Sequence, residues 1–169
     1  MMPNLLQYVV AMFACLRAGL IVVNINPLYT SREVNATLRD SEAKAIIIIE
    51  NFAKTLQSAL DGTKCEHIVT TAVGDLFPFF KRTLVNFVVR HVKKMVPAYN
   101  LPQAVNFNDA LAKGRQHGFQ PHDIKTTDIA FLQYTGGTTG VAKGAILTHR
   151  NLLANMQQVG CWLSNSFKE

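Results

Sequence analysis

Apolar residues along this chain change their spacing at regular intervals, and each change marks an element. From Asn4 to Ala18 they recur at about every third or fourth position, which predicts a helix ended by Gly19. Leu20-Ile21-Val22-Val23 is a β-branched run of the kind that forms a buried parallel strand. Asn26-Pro27 begins a turn, and Ser31 to Asp40 reads as a helix with Ser31 as its cap. Ala45 to Ile49 predicts a second buried strand, Phe52 to Leu60 a short helix, and His67 to Thr71 a third strand. This alternation predicts an α/β fold: a layered, mostly parallel sheet flanked by helices.

Phe77 to Val96 breaks the alternation. On a helix turning about 100° per residue, Arg82, Asn86, Arg90, Lys93 and Lys94 share one arc, while Phe77, Leu84, Val85, Val88, Val92 and Met95 gather opposite. No acidic residue lies between Lys81 and Lys94. Two readings follow: a surface helix with its apolar face on the core, or a basic amphipathic helix lying on an anionic membrane surface. Pro97 and Pro102 then bracket a linker, Phe107 to Arg115 predicts a short helix, and His117 to Asp128 a polar loop.

The last third holds the densest chemistry. Ile129 to Tyr134 reads as a strand entering a loop, and Gly144 to Thr148 as a strand leaving it. A helix is predicted from His149, capped by Thr148. Between the strands stand Thr135, Gly136, Gly137, Thr138, Thr139, Gly140, Val141, Ala142 and Lys143. Glycines let successive amides turn inward, threonine hydroxyls add neutral donors, and a lysine brings a mobile cation, so the composition suits a phosphate cradle. Two common nucleotide motifs fail by spacing. Lys143 follows Ala142 and precedes Gly144, which is not the Walker order, and no glycines sit at the Rossmann offsets. The expectation is a strand–loop–strand phosphate site spanning residues 134–144.

Composition adds bounds. The 169 residues are 49% hydrophobic and 17% charged, which suits one globular domain. The net charge of +6 favours an anionic partner without choosing among ATP, CoA, lipid and nucleic acid. Cys15, Cys65 and Cys161 are widely spaced and suggest neither a metal site nor disulfides, in keeping with a reducing compartment. The N-terminus lacks a basic signal region, and Leu5 to Leu20 is short for a membrane span. His67, His91, His117 and His122 show no partner pattern. Asp40, Glu42 and Glu50 fall on different elements, which argues against an acid/base pair, and Trp162 is expected to pack.

Tyr134 to Asn151, YTGGTTGVAKGAILTHRN, resembles the signature of the acyl-adenylate-forming (AMP-binding) enzymes, which include acyl-CoA synthetases, luciferases and peptide-synthetase adenylation domains. It departs at Ala142, where most members carry proline. Val141-Ala142 is similar to the variant of the bacterial long-chain fatty-acyl-CoA synthetases. Met2-Pro3-Asn4, Arg17-Ala18-Gly19 and Asn24 to Thr30 are similar to earlier parts of the same domain, so the resemblance covers nearly the whole chain.

The resemblance implies ATP-dependent conversion of a fatty acid to acyl-AMP and then acyl-CoA, with ATP, Mg²⁺ bridging its phosphates, and CoA as co-substrate. It implies that Tyr134, Thr135, Gly136, Gly137, Thr138, Thr139, Gly140 and Lys143 bind the nucleotide, with Lys143 and Thr138 stabilising phosphate charge during reaction. No protein metal ligand and no nucleic-acid partner is expected; a homodimer stays open. The expected location is the cytoplasm, at or near the inner face of the cell membrane. The family's N-terminal domain is larger than residues 1–169, and its mobile C-terminal domain, adenine segment and late lysine are not found here. The expectation is therefore a fragment with negligible activity alone. Two alternatives remain: a ligase for aromatic or amino acids, and a non-catalytic lipid- or anion-binding fragment.

Overall fold

The computed structural model describes residues 1–135 and 143–164. Two compact units divide the chain, with one boundary inside the first helix: Met1–Ala14 with Ile25–Gln120, and Cys15–Asn24 with Pro121–Glu169.

Helix α1 (Leu6–Arg17) begins in the first unit. The rest of that unit comprises α2 (Ser31–Asp40), β2 (Ala45–Ile49), a 3₁₀ turn (Glu50–Phe52), α3 (Ala53–Gln57), β3 (His67–Thr71), α4 (Phe79–Phe87) running into a π-helical turn (Val88–Val92), β4 (Val105–Asn106) and α5 (Phe107–His117). Strands β2, β3 and β4 lie in that order and are all parallel, with Ile46 facing Ile68 and Val69 facing Val105. The all-isoleucine stretch of β2 has no polar side to offer solvent, and Ile46, Ile48 and Ile49 are buried. Helix α2 meets this core with Val34, Thr37 and Leu38, spaced three and four apart on one stripe. Leu56, Ile68 and Phe107 complete it.

The predicted cap of α2 moves by one residue. Thr30, not Ser31, is the N-cap, and it forms a reciprocal capping box with Glu33. The carboxylate of Glu33 accepts from the Thr30 amide (2.8 Å) and hydroxyl (2.7 Å). Those hydrogen bonds hold its pKa below the ordinary glutamate value.

Buried Gln7 and Asp75 in this unit are tied to backbone and side-chain partners. The amide of Gln7 donates to the carbonyls of Ala72 and Val73. Asp75 accepts from the Ala72 amide (2.7 Å), the Thr71 hydroxyl and Asn86 Nδ2.

The segment after Asp75 departs from its predicted orientation. Its inner side carries Val85, Val88 and Val89, half-buried, but also polar anchors. Asn86 accepts from the Gly74 amide at 2.8 Å, and Arg90 binds the buried Glu50 through Nε (2.9 and 3.0 Å) and Nη2 (2.7 Å). Leu84, Val92 and Met95, expected inward, are exposed. Polar groups won the inner positions because Glu50 and the turn at Gly74 needed partners there.

In the second unit, Gly19 ends the first helix with φ +70°, a left-handed conformation open to glycine. Strand β1 (Val22–Val23) is shorter than its predicted run and pairs in parallel with β5 (Ile129–Thr135). Antiparallel to β5 on its other side lies β6 (Lys143–Thr148), followed by α6 (His149–Ser164). Ala130, Phe131 and Tyr134 are its buried residues on β5, whereas no residue of α6 is buried. Trp162, expected to pack, is 83% exposed. Among the described residues the mostly parallel sheet of the sequence reading takes the form of two three-stranded sheets, with three parallel pairings and one antiparallel.

A candidate phosphate site on a β-hairpin

The predicted strand–loop–strand exists. Strands β5 and β6 pair in the register Gln133↔Ala145, Tyr134↔Gly144 and Thr135↔Lys143. Thr135 and Lys143 are therefore neighbours at the mouth, on one face of the hairpin, and both are exposed. Gly136, Gly137, Thr138, Thr139 and Gly140 lie outside the described residues.

One pair back from the mouth, Tyr134 is buried and its ring covers Gly144. A β-carbon at Gly144 would stand 3.1 Å from Tyr134 Cζ and 3.3 Å from Cε2. Glycine at 144 therefore follows from where the ring lies, a constraint that spacing alone did not reveal. Asn24, just past β1, donates from Nδ2 to Gln133 Oε1 at 3.3 Å, which fixes that side of β5.

Beyond the far end of the hairpin, helix α6 starts in the predicted way. The Thr148 hydroxyl accepts from the Asn151 amide at 3.3 Å, and Asn151 Oδ1 accepts in return from the Thr148 amide (2.9 Å) and hydroxyl (2.7 Å). Thr-x-x-Asn here imitates the Thr-x-x-Glu spacing at Thr30, in keeping with a capping role for the tract that follows Thr148. Asp128 is a missed residue. Its carboxylate accepts from the Lys125 amide, and its carbonyl accepts from the His149 amide. His149-Arg150-Asn151 thus serves the helix start.

The mouth offers donors. A threonine hydroxyl beside a lysine ammonium suits an anion, and no carboxylate belongs to that pair. A divalent metal would be at home there only when carried by the anion's own oxygens. Among the described residues, no three His, Cys, Asp or Glu side chains come together as a metal site.

The remaining candidates separate. Glu42 pairs with Lys64, and Glu50 with Arg90. The thiols of Cys15 and Cys65 are pushed up in pKa by burial, which keeps them protonated and unreactive. No described helix is long and apolar enough to cross a membrane.

A family profile described as AMP-binding enzyme matches residues 1–168. The chain is 57% identical over 159 residues to the long-chain-fatty-acid–CoA ligase of Escherichia coli O157:H7, covering 94% of this chain and 28% of that protein. The long-chain-fatty-acid–CoA ligase FadD1 of Archaeoglobus fulgidus superimposes with a TM-score of 0.67 at 26% identity, over 93% of this chain and 26% of that one. The anthranilate CoA ligase AuaEII, solved with anthranoyl-AMP, gives 0.68 at 23% identity, over 89% and 24%. Similar scores for a fatty-acid and an aromatic-acid ligase show a shared fold that does not itself select the acid.

Proposed function

The chain belongs to the AMP-binding enzyme family, and from that premise we propose that it is the phosphate-gripping part of a long-chain fatty-acid–CoA ligase. The observation that carries the acid's identity is the 57% identity to a ligase of that name. The chain spans 28% of that relative's length, so the reaction belongs to the whole protein.

The fatty-acid carboxylate attacks the α-phosphorus of ATP, pyrophosphate leaves, and the CoA thiol then displaces AMP from the acyl-adenylate. Two anions must meet in the first step. The part of this chain is to hold and neutralise the triphosphate. Residues 134–144 act as the phosphate loop. Thr135, Thr138 and Thr139 donate hydroxyl hydrogens, the amides around Gly136, Gly137 and Gly140 donate beside them, and Lys143 draws charge toward the departing pyrophosphate. Tyr134, wedged on Gly144, fixes where the loop begins. Mg²⁺ carried by the nucleotide would supply further charge neutralisation, with no protein ligand assigned to it. No general base is required, because the carboxylate is already a nucleophile. A water-insoluble substrate suits an enzyme that works at the inner face of the cell membrane.

The test is a chimera in which this chain replaces the matching segment of the Escherichia coli ligase. It should form oleoyl-CoA and show oleate-dependent ATP–pyrophosphate exchange. Lys143→Ala and Thr138→Ala should each lower kcat by about 10²–10³, as expected when a transition-state donor is lost. Exchange driven by an aromatic or amino acid instead of oleate would move the assignment to another ligase. ATP binding without exchange would leave only an anion-binding function. Full activity in Lys143→Ala would remove the lysine's role.

A further inference from the structure

The segment Phe79–Val92 carries an inverted helix face. Its polar residues Asn86 and Arg90, four apart, point at the body of the first unit and are held by Gly74, Asp75 and Glu50. Its largest apolar residues point away, while Val85, Val88 and Val89 stay half-buried on the inner side. Phe80, Leu84 and Phe87 recur at i, i+4 and i+7 on one stripe and are 87%, 64% and 55% exposed. Val92 and Met95 extend the exposed apolar surface past the π-helical turn. A run of large uncovered side chains on one element marks a contact surface rather than chance exposure.

Charge identifies the occupant. No Asp or Glu occurs between Asp75 and Asp109, while Lys81 on the helix and Lys93 and Lys94 just past its end all stand exposed. Lys81 lies over the Phe77 ring at 4.6 Å, so its ammonium stays at the level of the aromatic groups. Arg90 contributes no free charge, since Glu50 neutralises it. Aromatic side chains flanked by lysines, without acids, match the boundary between acyl chains and anionic headgroups.

We infer that Phe80, Leu84 and Phe87, flanked by Lys81, Lys93 and Lys94, form a docking face for an anionic lipid bilayer, with the Asn86 and Arg90 anchors holding that face outward. This sharpens the membrane part of the proposed function and is independent of its catalytic part.

Phe80→Trp in a Trp162→Phe background makes residue 80 the sole indole, because the chain has one tryptophan. With vesicles of phosphatidylcholine containing about one third phosphatidylglycerol, its emission should shift to the blue and be quenched by acyl-brominated lipid. Trp162 of the unmodified chain should stay unquenched on the same vesicles. Lys81→Gln, Lys93→Gln and Lys94→Gln together should weaken binding by about 100-fold, since each lysine near an anionic surface contributes on the order of a tenfold gain or less. Phe87→Trp serves as a second reporter should Phe80→Trp disturb folding by circular dichroism. Quenching of Trp162 with none at residues 80 or 87 would overturn the inference, as would binding unchanged by the lysine substitutions. A dimer in sedimentation that Phe80→Ser dissolves would assign the face to a second copy and overturn it too. A chimera that makes oleoyl-CoA while residue 80 stays in water would sink this inference and leave the ligase reading intact.

Discussion

The two compact units differ in how much buried interior each holds. The first buries Val34, Leu38, Ile48, Leu56 and Ile68 to 2% exposure or less, and its buried Gln7 and Asp75 have hydrogen-bond partners. The second buries little beyond Ala130, Phe131 and Tyr134, while Ile146, Leu153, Met156 and Trp162 stand in solvent. The hairpin with the candidate chemistry belongs to the second. The candidate loop is carried on narrow strands and a glycine, whereas the first unit combines a packed interior with the exposed stripe of Phe80, Leu84 and Phe87. The contrast teaches that functional density and packing density are separate properties of this chain.

The largest expected effect breaks the contrast directly. Leu38→Ala should cost about 2–5 kcal/mol in urea unfolding, whereas Leu153→Ala on α6 should cost less than about 0.5 kcal/mol. Equal losses would mean that the second unit is better packed than its exposures say. Next in size is Gly144→Ala. Its methyl group would press on the Tyr134 ring, so the cost should be about 1–3 kcal/mol. Amide exchange should speed up in β5 and β6 but not in β2 and β3. Pairing it with Tyr134→Leu should restore much of the protection.

The smallest effect concerns pH. Glu33 has a depressed pKa in the folded chain because Thr30 donates to its carboxylate. Its contribution is therefore present above the unfolded carboxylate pKa and is lost as pH falls through the folded one. As pH falls below the ordinary glutamate pKa, the stability difference between the unmodified chain and Glu33→Gln should start to shrink, and it should vanish only once the folded carboxylate is protonated. A difference that stays constant would show that the capping box is neutral in charge terms.

Much of the fold was legible because its signals were local. An Ala45–Ile49 run that is short and rich in β-branched isoleucine favours a buried strand over a helix, and Gly19 marks where a helix has to stop. The hairpin was legible because glycines and hydroxyls between two apolar runs leave few alternatives. What the sequence hid were matters decided by distant partners. Periodicity placed Arg90 on a polar face, but only Glu50, 40 residues away, decided that this face turns inward. Hydrophobic spacing likewise could not say that the Tyr134 ring covers Gly144, because cross-strand pairing is not written in either strand alone. The capping shift from Ser31 to Thr30 is smaller in kind: both carry hydroxyls, and the Glu33 spacing that favours Thr30 was overlooked.

The cross-strand register at the hairpin mouth limits how this stretch can change over generations. Side chains alternate between faces, so gaining or losing one residue between Lys143 and Leu147 would carry the ammonium to the opposite side and bring a bulkier neighbour under the phenol. Changes of length there can survive only in twos. The far end is more forgiving: the irregularity between Ile129 and Phe131 already absorbs an unmatched residue, so drift in length is expected to collect near Thr148 and leave the mouth untouched.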